Sequence, residues 1–493
     1  MGDAPFDPIP SDTAVRAVEV SVDAAPAGAT TGVLVTSDGD VPAAIGADRD
    51  ELARWGFTGR AGQTLARPSA GADVVAVGAG PAERLDTAAV RDAAAHHARA
   101  VARDTVVTVS LAGTEGLDLG DVASAVVEGV LLGRYRYDQL RTEPATVPVT
   151  GIVLVTGGDA AEALAGARRG LVLARAALVS RDLANTPAGY LTAPDLADVA
   201  VRLGAANGLE VEVFDKAALT EMGCGGILGV NAGSVVEPRL VKVTYRGGEG
   251  HLAFVGKGIT YDSGGISLKP SNAMHAAMKM DMSGAGAALA ALSVLKDLGV
   301  GTTVTAYLAC TDNMPSGSAT KLGDVLTTRS GRTIEVVNTD AEGRLVMSDA
   351  IALAVEDGVD AIVDIATLTG AALAALGTAR AALLGNDDAL AAQVESASAA
   401  TDERVWRLPL EHRYRPQLDS DVADIKNLGG EFAGAITAAL FLAEWAGEVS
   451  WAHLDIAGTM KSDTDDAVWT KGATGFGARL LAELAGSFTV PVA

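Results

Sequence analysis

Short apolar runs alternate with alanine-rich helical stretches along most of this chain, and this alternation restricts the fold more than any other feature. In the first 160 residues the β-rich runs lie at 32–37, 73–78, 105–113 and 149–157, with helical stretches at 88–104 and 121–140. Beyond residue 185 the runs are longer and more hydrophobic, as in 252–258, 303–310, 333–340 and 361–368, and most are nearly continuous in apolar residues. Strands of that kind belong to sheets that are buried on both faces. The pattern predicts an α/β protein.

The alternation is interrupted once, by a long stretch with helical spacing at 159–184, which is rich in Ala and Leu. This stretch ends at Asn185-Thr186-Pro187, where proline disfavours helix at the residue before it. The chain has 493 residues, which is too long for one ordinary domain. We therefore predict a small N-terminal α/β domain over 1–165, a connecting helix over 166–184 and a larger C-terminal domain over 185–493.

Charge and cysteine content limit the classes of function. The formal net charge of −24 argues against a nucleic-acid binder, which needs a positive surface, and against binding to an anionic membrane. The two cysteines, Cys224 and Cys310, form no CxxC pair and are expected to be free, buried thiols. The start, MGDAPFDPIP, lacks the basic and apolar regions of a signal peptide, and no apolar run approaches the ~20 residues that cross a bilayer. A cytoplasmic protein is expected.

Charged side chains occur where apolar strands end, which is the edge at which ligands bind to open α/β sheets. They are Lys257, Asp262, Asp281, Asp340, Glu342 and Arg344. Each has a structural alternative: Asp281 suits a helix N-cap, and the two acids of the Asp340-Ala341-Glu342 segment suit caps or a turn. Lys257 could extend its ammonium group to solvent.

Taken together, the four carboxylates favour a metal site. In apolar, Gly-rich surroundings they would repel one another unless cations neutralised them, and two divalent ions would balance their four charges. In an extended segment, Asp340 and Glu342 would point the same way. Only six histidines are present and none lies in an HExxH pattern, so the ligands are expected to be mainly oxygen atoms, which suits Mn, Mg or Zn.

These residues lie in segments that resemble one known family. Residues 338–345, NTDAEGRL, match the signature of the leucyl aminopeptidase family, the M17 cytosol aminopeptidases. Further blocks resemble that family in the same order: VGKGITYDSGG (255–265), SLKP (267–270), MKMDMSG (278–284), ATLTGA (366–371), SDVADIKN (420–427), GAITAALFL (434–442), WAHLDIAG (451–458) and KGATGFG (471–477). The resemblance is strong over 180–493. It implies an α/β/α metallopeptidase domain with a mixed, mostly parallel sheet and an aminopeptidase activity.

The resemblance also implies roles for individual residues. Asp262, Asp340 and Glu342 would hold one divalent ion (Mn or Zn), and Lys257, Asp262, Asp281 and Glu342 would hold a second, with the lysine as a neutral amine. The ions would activate the attacking water. Lys269 would stabilise the oxyanion of the tetrahedral intermediate, and Arg344 would hold a bicarbonate ion that acts as general base.

The family's specificity pocket is apolar, and the resemblance assigns it to Met278, Thr367, Leu368, Gly370, Ala457 and Met460. Leu- or Met-like N-terminal residues of short peptides should fit such a pocket, although the two methionines could also be plain core residues. A homohexamer built as a dimer of trimers is implied, with active sites facing an interior cavity. Two alternatives remain: a DNA-binding regulatory protein that retains the peptidase fold, and a narrow Cys-Gly-type dipeptidase.

Overall fold

The chain folds into two compact units that are not continuous in sequence. The computed structural model describes residues 6–67, 73–143 and 146–491. Residues 1–5 lie outside these ranges. They are the first half of the MGDAPFDPIP segment, in which no signal peptide was expected. The smaller unit comprises Ser11–Leu178 and Ser462–Gly472, and the larger comprises Val179–Lys461 with the described parts of Met1–Pro10 and Ala473–Ala493. Both units contain the helix Ala160–Asn185 in part, since one unit ends at Leu178 and the other begins at Val179.

The smaller unit is built on a six-stranded sheet. In spatial order its strands are Glu19–Val22, Gly151–Val155, Val106–Ser110, Thr31–Val35, Val74–Gly78 and Thr64–Arg67. All neighbours are parallel except the last pair. Its helices are Pro10–Arg16, Arg49–Arg54, Thr87–Ala100, Leu119–Arg134 and the first part of Ala160–Asn185, with short 3₁₀ turns at Ala43–Ile45 and Ala82–Arg84. Four of the six strands match the β-rich runs of the sequence.

The late segment Ser462–Gly472 takes part in the core of the smaller unit. Val468 is 4% exposed and packs into the same apolar cluster as the sheet and its helices, and Trp469 packs against that cluster. Arg99, on the helix Thr87–Ala100, donates to the Trp469 carbonyl at 2.9 Å. Arg136 pairs with Asp465. The smaller unit therefore needs residues from near the C-terminus.

An eight-stranded mixed sheet forms the larger unit. In spatial order its strands are Val405–Arg407, Ala381–Gly385, Ser450–Asp455, Ala361–Ala366, His251–Asp262, Thr303–Asn313, Arg239–Tyr245 and Glu210–Phe214. The four central strands are mutually parallel. Antiparallel pairing occurs towards both edges. The predicted α/β fold with a mixed, mostly parallel sheet is confirmed.

Helices cover the larger sheet. They are the remainder of Ala160–Asn185, then Ala193–Asn207, Lys216–Glu221, Gly225–Asn231, Ala273–Ala276, Ser283–Leu292, Glu342–Glu356, Gly370–Leu376, Asp388–Thr401, Gly434–Ala446 and Ala478–Ser487, with 3₁₀ turns at Ala277–Met280 and His412–Leu418. The remaining short strands are Val325–Thr327, Thr333–Glu335, Ile425–Lys426, Lys461–Ser462 and Gly472–Ala473. Every residue of the helix Ser283–Leu292 is buried, as its run of Ala and Gly allows. Small side chains let this helix approach the sheet closely.

Two strands differ from the sequence prediction in ways that matter for function. The run predicted at 252–258 continues to residue 262, and the run predicted at 333–340 is a strand only over Thr333–Glu335. Cys224 and Cys310 are buried, as predicted. Within the described part of the chain, no helix is long and apolar enough to cross a bilayer. The boundaries 1–165, 166–184 and 185–493 stay a prediction.

Candidate metal centre

Three separate segments of the larger unit bring charged side chains to the carboxyl ends of the central parallel strands. The strand His251–Asp262 carries Lys257 in its interior and Asp262 as its last residue. Asp281 follows the 3₁₀ turn Ala277–Met280, and Asp340 lies in the turn before Glu342, the first residue of the helix Glu342–Glu356. Residues far apart in sequence therefore meet at one edge of the sheet.

Lys257 is the most enclosed cation of the cluster. Its ammonium nitrogen lies 2.8 Å from Asp281 Oδ2 and 2.8 Å from Glu342 Oε1, and its side chain is only 3% exposed. It also donates to the Thr367 carbonyl at 3.0 Å. Burial alone would lower the pKa of Lys257, but the surrounding carboxylates outweigh burial and hold this pKa above its ordinary value. Without a metal ion, Lys257 is therefore a charged partner of the acids.

Glycine at position 343 makes room for that lysine. A Cβ atom there would lie 2.6 Å from Lys257 Cε and 2.8 Å from its Nζ. Because real Cβ atoms do not approach so closely, any side chain at 343 would push the lysine out of its position. Glycine is therefore required at position 343 of the NTDAEGRL segment, because a side chain there would occupy the space of the Lys257 side chain.

Lys269 marks the open side of the cluster. Its ammonium nitrogen lies 2.8 Å from Asp262 Oδ2 and 2.6 Å from Asp340 Oδ1. Its side chain is 20% exposed and that of Asp340 is 32% exposed, whereas Asp262, Asp281 and Glu342 are almost fully buried. A small molecule would therefore reach the acids from the side of Lys269 and Asp340.

The carboxylates themselves are arranged as ligands for a cation. One oxygen each from Asp262, Asp340 and Glu342 lies within 4.8 Å of the others. Burial, followed by repulsion from Glu342, raises the pKa of Asp262 to about 6. Burial likewise raises the pKa of Asp281 well above its usual range. Both pKa shifts come first from burial and are increased by repulsion between the carboxylates, which a bound cation would relieve.

Divalent metal ions fit these residues. Four carboxylates share two ammonium groups, which leaves a net charge of −2 when all six groups are ionised. Glu342 Oε2 is buried and makes no hydrogen bond within the described residues. Carboxylate oxygen atoms are the donors that Mn and Mg prefer, and Zn also accepts them. The donor set and its charge both favour bound cations.

Two details of the sequence prediction and one structural alternative are wrong, although the predicted residues do meet. Asp340 and Glu342 do not alternate along an extended segment; they meet because the chain turns and a helix begins at Glu342. Lys257 lies within its strand rather than at its end. Asp281 is not an N-cap: the next helix is preceded by Met282 without a side-chain cap, and the Asp281 carboxylate binds Lys257 and Thr367 instead.

Two buried asparagines that sequence reasoning missed hold the proposed ligands in place. Asn313 donates to Asp262 Oδ1 at 2.9 Å and to the Thr339 carbonyl at 2.9 Å. Asn427 donates to the Asn338 carbonyl at 2.7 Å and accepts from the Val337 amide at 2.9 Å. A polar residue at the end of an apolar strand, the signal used for the acids, would also have found Asn313.

Arg344 is buried next to the carboxylates. It is 4% exposed, and its Nε and Nη1 have no hydrogen-bond partner among the described residues. Its guanidinium carbon lies 6.0 Å from the centre of the Phe441 ring. Burial lowers the pKa of Arg344 to about 10, so the group remains cationic at neutral pH. A buried guanidinium with unfilled donors is suited to an anion.

The predicted pocket residues lie around the same edge of the sheet. Thr367, Leu368 and Gly370 follow the strand Ala361–Ala366, and Ala457 and Met460 follow the parallel neighbour Ser450–Asp455. Thr367 donates to Asp281 Oδ1 at 2.7 Å, which ties this wall to the acids. Met278, 7% exposed, lies three residues before Asp281, and Met460 is 6% exposed. Whether the two methionines face a substrate stays a prediction.

The sequence matches known proteins along most of its length. The model of the cytosol aminopeptidase family, catalytic domain, matches residues 178–482, and that of the N-terminal domain matches 50–144. The chain belongs to the cytosol aminopeptidase family. Probable cytosol aminopeptidases of Solibacter usitatus and Alkaliphilus metalliredigens are similar: the first is 42% identical over 84% of this chain and 86% of its own length. The second is 40% identical over 87% of this chain and 89% of its own length.

A solved structure of the same architecture is a complex with a metal ion. The bottromycin maturation enzyme BotP in complex with Mn is similar with a TM-score of 0.86 and 40% identity, covering 93% of this chain and 99% of that one. Family membership confirms the predicted enzyme class. A cytosol aminopeptidase is a metal-dependent hydrolase that acts on peptides, and the carboxylate cluster is where this chain offers ligands for a metal.

Proposed function

We propose that this cytosol aminopeptidase uses two divalent ions to remove apolar N-terminal residues, with Leu- or Met-like side chains preferred, from short peptides. The observation that carries the proposal is the buried group of four carboxylates and two lysines that opens at one side. A peptide end could approach through that side, past Lys269 and Asp340. Two ions rather than one are proposed because two divalent charges balance the four carboxylates once the lysines no longer pair with them.

The proposed ligands divide into two overlapping sets. Asp262, Asp340 and Glu342 would hold one ion, and Lys257, Asp262, Asp281 and Glu342 would hold the other. When bound, the ions would lower the pKa of a water molecule and balance negative charge that develops on the substrate. Lys257 would have to give up its proton and its present ion pairs to act as a ligand, because only the neutral amine has a free electron pair.

Two cations of the chain would act on the substrate side. Lys269 lies on the open side and would donate to the oxyanion of the tetrahedral intermediate, where its charge acts in a poorly hydrated environment. Arg344 would hold a bicarbonate ion through its unfilled nitrogens, and that ion would serve as the general base. The Arg344 side chain is fixed by burial, so it would hold such an anion in one orientation.

An apolar pocket would set the preference for the N-terminal residue. We assign it to Met278, Thr367, Leu368, Gly370, Ala457 and Met460. Methionine side chains adapt to different shapes, which supports tolerance for several apolar residues. The metal in the BotP structure makes Mn the first ion to test, with Zn as the second. Neither a DNA-binding role nor a narrow Cys-Gly dipeptidase is favoured by the family comparisons.

The test is hydrolysis of Leu-p-nitroanilide by the purified chain with Mn²⁺, with a chelator, and with two variants. Glu342→Gln removes a proposed shared ligand and should reduce kcat by about 10³-fold, since one such electrostatic group contributes on that order. Glu356→Gln is the matched control, since Glu356 ends the same helix and, in the described part of the chain, forms its ion pair with the partly exposed Arg329. Mn²⁺-dependent activity lost in Glu342→Gln alone would support the proposal. Inactivity of the Mn-loaded wild type on several N-terminal residues would refute it.

A further inference from the structure

One buried carboxylate of the larger unit binds two walls of the proposed pocket but belongs to none of the sets above. Asp455 is the last residue of the strand Ser450–Asp455 and is 1% exposed. Its strand lies parallel to Ala361–Ala366, with Ala366 opposite Asp455. The chain leaves both strands at the same level, so the two pocket segments start side by side with this carboxylate between them.

Asp455 accepts hydrogen bonds from both segments. Its Oδ1 accepts from the amides of Leu368 at 3.1 Å, Thr369 at 3.3 Å and Ala457 at 3.2 Å. Its Oδ2 accepts from the Thr369 hydroxyl at 2.6 Å. Four donors on one buried carboxylate fix the backbone of both segments, because an unmade hydrogen bond to a buried charge is costly.

Thr369 transmits this contact to the next element. Its hydroxyl oxygen also accepts from the Ala372 amide at 3.0 Å, which caps the helix that begins at Gly370. At the other end of the segment, the Thr367 hydroxyl binds Asp281. The pocket wall is thus held between the metal centre on one side and Asp455 on the other.

We propose that Asp455 is a positioning residue that sets substrate selectivity by holding the segments 367–370 and 456–458 at the distance that fits a branched apolar side chain. This inference rests on the proposed aminopeptidase function. Loss of the contact should widen or loosen the pocket while the metal ligands stay in place. The value of kcat/KM should then fall more for substrates with large N-terminal side chains, which contact the pocket wall, than for substrates with small ones.

The test compares kcat/KM for Leu- and Ala-p-nitroanilide in the Mn-loaded wild type, Asp455→Ala, Thr369→Val and Thr369→Ser. Thr369→Val keeps the shape but removes the hydroxyl, and it leaves in place the Asp455 charge, which acts electrostatically on Arg344. We expect the Leu-to-Ala selectivity ratio to fall by about tenfold in Asp455→Ala and Thr369→Val, with bound Mn unchanged, and to be restored in Thr369→Ser.

Three results would overturn the inference: an unchanged ratio in Thr369→Val, an equal loss on both substrates, or a loss that follows the Mn content. If Asp455→Ala does not fold, the threonine pair still decides the outcome. A wild type that cleaves neither substrate would refute the proposed function as well. A wild type that cleaves both, with the ratio unchanged in Thr369→Val, would refute only the role of Asp455.

Discussion

Asn313 connects two of the segments that carry proposed ligands. One amide group holds both the Asp262 carboxylate and the carbonyl that precedes Asp340, and the residue is 4% exposed. Partners of metal ligands orient those ligands, and removing them commonly costs 10- to 100-fold in metal affinity. Asn313 should therefore matter for metal binding without touching the metal.

We predict that Asn313→Ala weakens Mn²⁺ binding by about 10- to 100-fold while the chain remains folded. Isothermal titration calorimetry with Mn²⁺ measures this directly. Asn207→Ala is the control, because Asn207 is also buried but donates to a carbonyl of its own helix. Equal Mn²⁺ affinity in Asn313→Ala and the wild type would show that Asp262 holds its position unaided.

His97 gives the smaller unit a pH-sensitive point. The ring is 1% exposed, and its Nε2 lies 3.0 Å from the Thr108 carbonyl oxygen. The ring also lies against Gly32, where a Cβ atom would come within 2.5 Å of it. Burial lowers the pKa of His97 from 6.5 to about 4. The folded unit therefore keeps this imidazole neutral at a pH at which the unfolded chain would take up a proton.

The sign of the effect on stability follows. The unfolded chain binds the proton below pH 6.5 and the folded unit only near pH 4, so stability is complete above 6.5 and is lost as pH falls towards 4. The loss should reach about 3 kcal/mol. Urea unfolding of the protein at pH 7, 5.5 and 4.5 measures this loss of unfolding free energy. The variant His97→Gln removes the buried imidazole, and His412→Gln, which replaces an exposed histidine, is the control. If the free energy of unfolding depends on pH equally in the wild type and in His97→Gln, the prediction is contradicted.

The contact between the strand His251–Asp262 and the helix Ser283–Leu292 sets the geometry of the metal centre. A Cβ atom at Gly256 would lie 2.6 Å from Ala285 Cα and 2.8 Å from its nitrogen. These are backbone atoms, so the whole helix would have to move. Lys257 is the next residue on the strand, and Asp281 comes two residues before the helix. Close packing of two elements therefore fixes the distance between two proposed ligands.

We predict that Gly256→Ala destabilises the larger unit by about 1–3 kcal/mol and weakens Mn²⁺ binding. Gly301→Ala is the matched control, since a Cβ atom there would meet nothing within 4 Å. Thermal unfolding with and without Mn²⁺ measures both effects. If Gly256→Ala and Gly301→Ala unfold at the same temperature, the helix can shift without cost and the close contact does not contribute to stability.

The elements show which parts of the structure the sequence could predict. Long apolar runs such as Ala361–Ala366 identified the central strands, because a strand buried on both faces has no polar alternation. The short edge strand Glu19–Val22 alternates between exposed and half-buried residues and gave no such signal. The turn before Glu342 was given only as an alternative to an extended segment, since its helix begins without a side-chain cap and no local motif announces it.

The site was predictable as a set of residues but not as a geometry. Charge at the ends of apolar strands pointed to Asp262 and Asp340, and the same criterion would have found Asp455. Extended to uncharged polar side chains, it would also have found Asn313. Sequence spacing could not show that Asp281 binds Lys257 and Thr367, because these contacts join three distant segments. Only the packed sheet reveals which polar residues meet.

At the level of the complete molecule, the resemblance to the leucyl aminopeptidase family suggests self-association. The larger unit leaves several large apolar side chains exposed, among them Phe432 at 78%, Val422 at 65% and Leu268 at 61%. Contacts between subunits would remove such side chains from water. Leu268 directly precedes Lys269, so association near it would also narrow the approach to the site.

We predict a homohexamer, with a mass six times the 49.7 kDa of the chain. Multi-angle light scattering measures this mass, and a dilution series shows whether the assembly is stable. Bovine serum albumin, run in the same series, controls for the column. A monomeric mass at every concentration would contradict the prediction and would leave the exposed apolar residues in need of another explanation.

The late segment Ser462–Gly472 has a consequence for how the protein is made. Val468 completes the core of the smaller unit, yet the ribosome adds it only after almost the entire larger unit has been synthesised. Domains usually fold in the order of their synthesis, as each leaves the ribosome. Here the smaller unit, most of which precedes the larger one in sequence, must remain unfinished until residues 462–472 appear. A nascent chain that stalls before residue 462 would expose the incomplete apolar core of the smaller unit to chaperones and proteases.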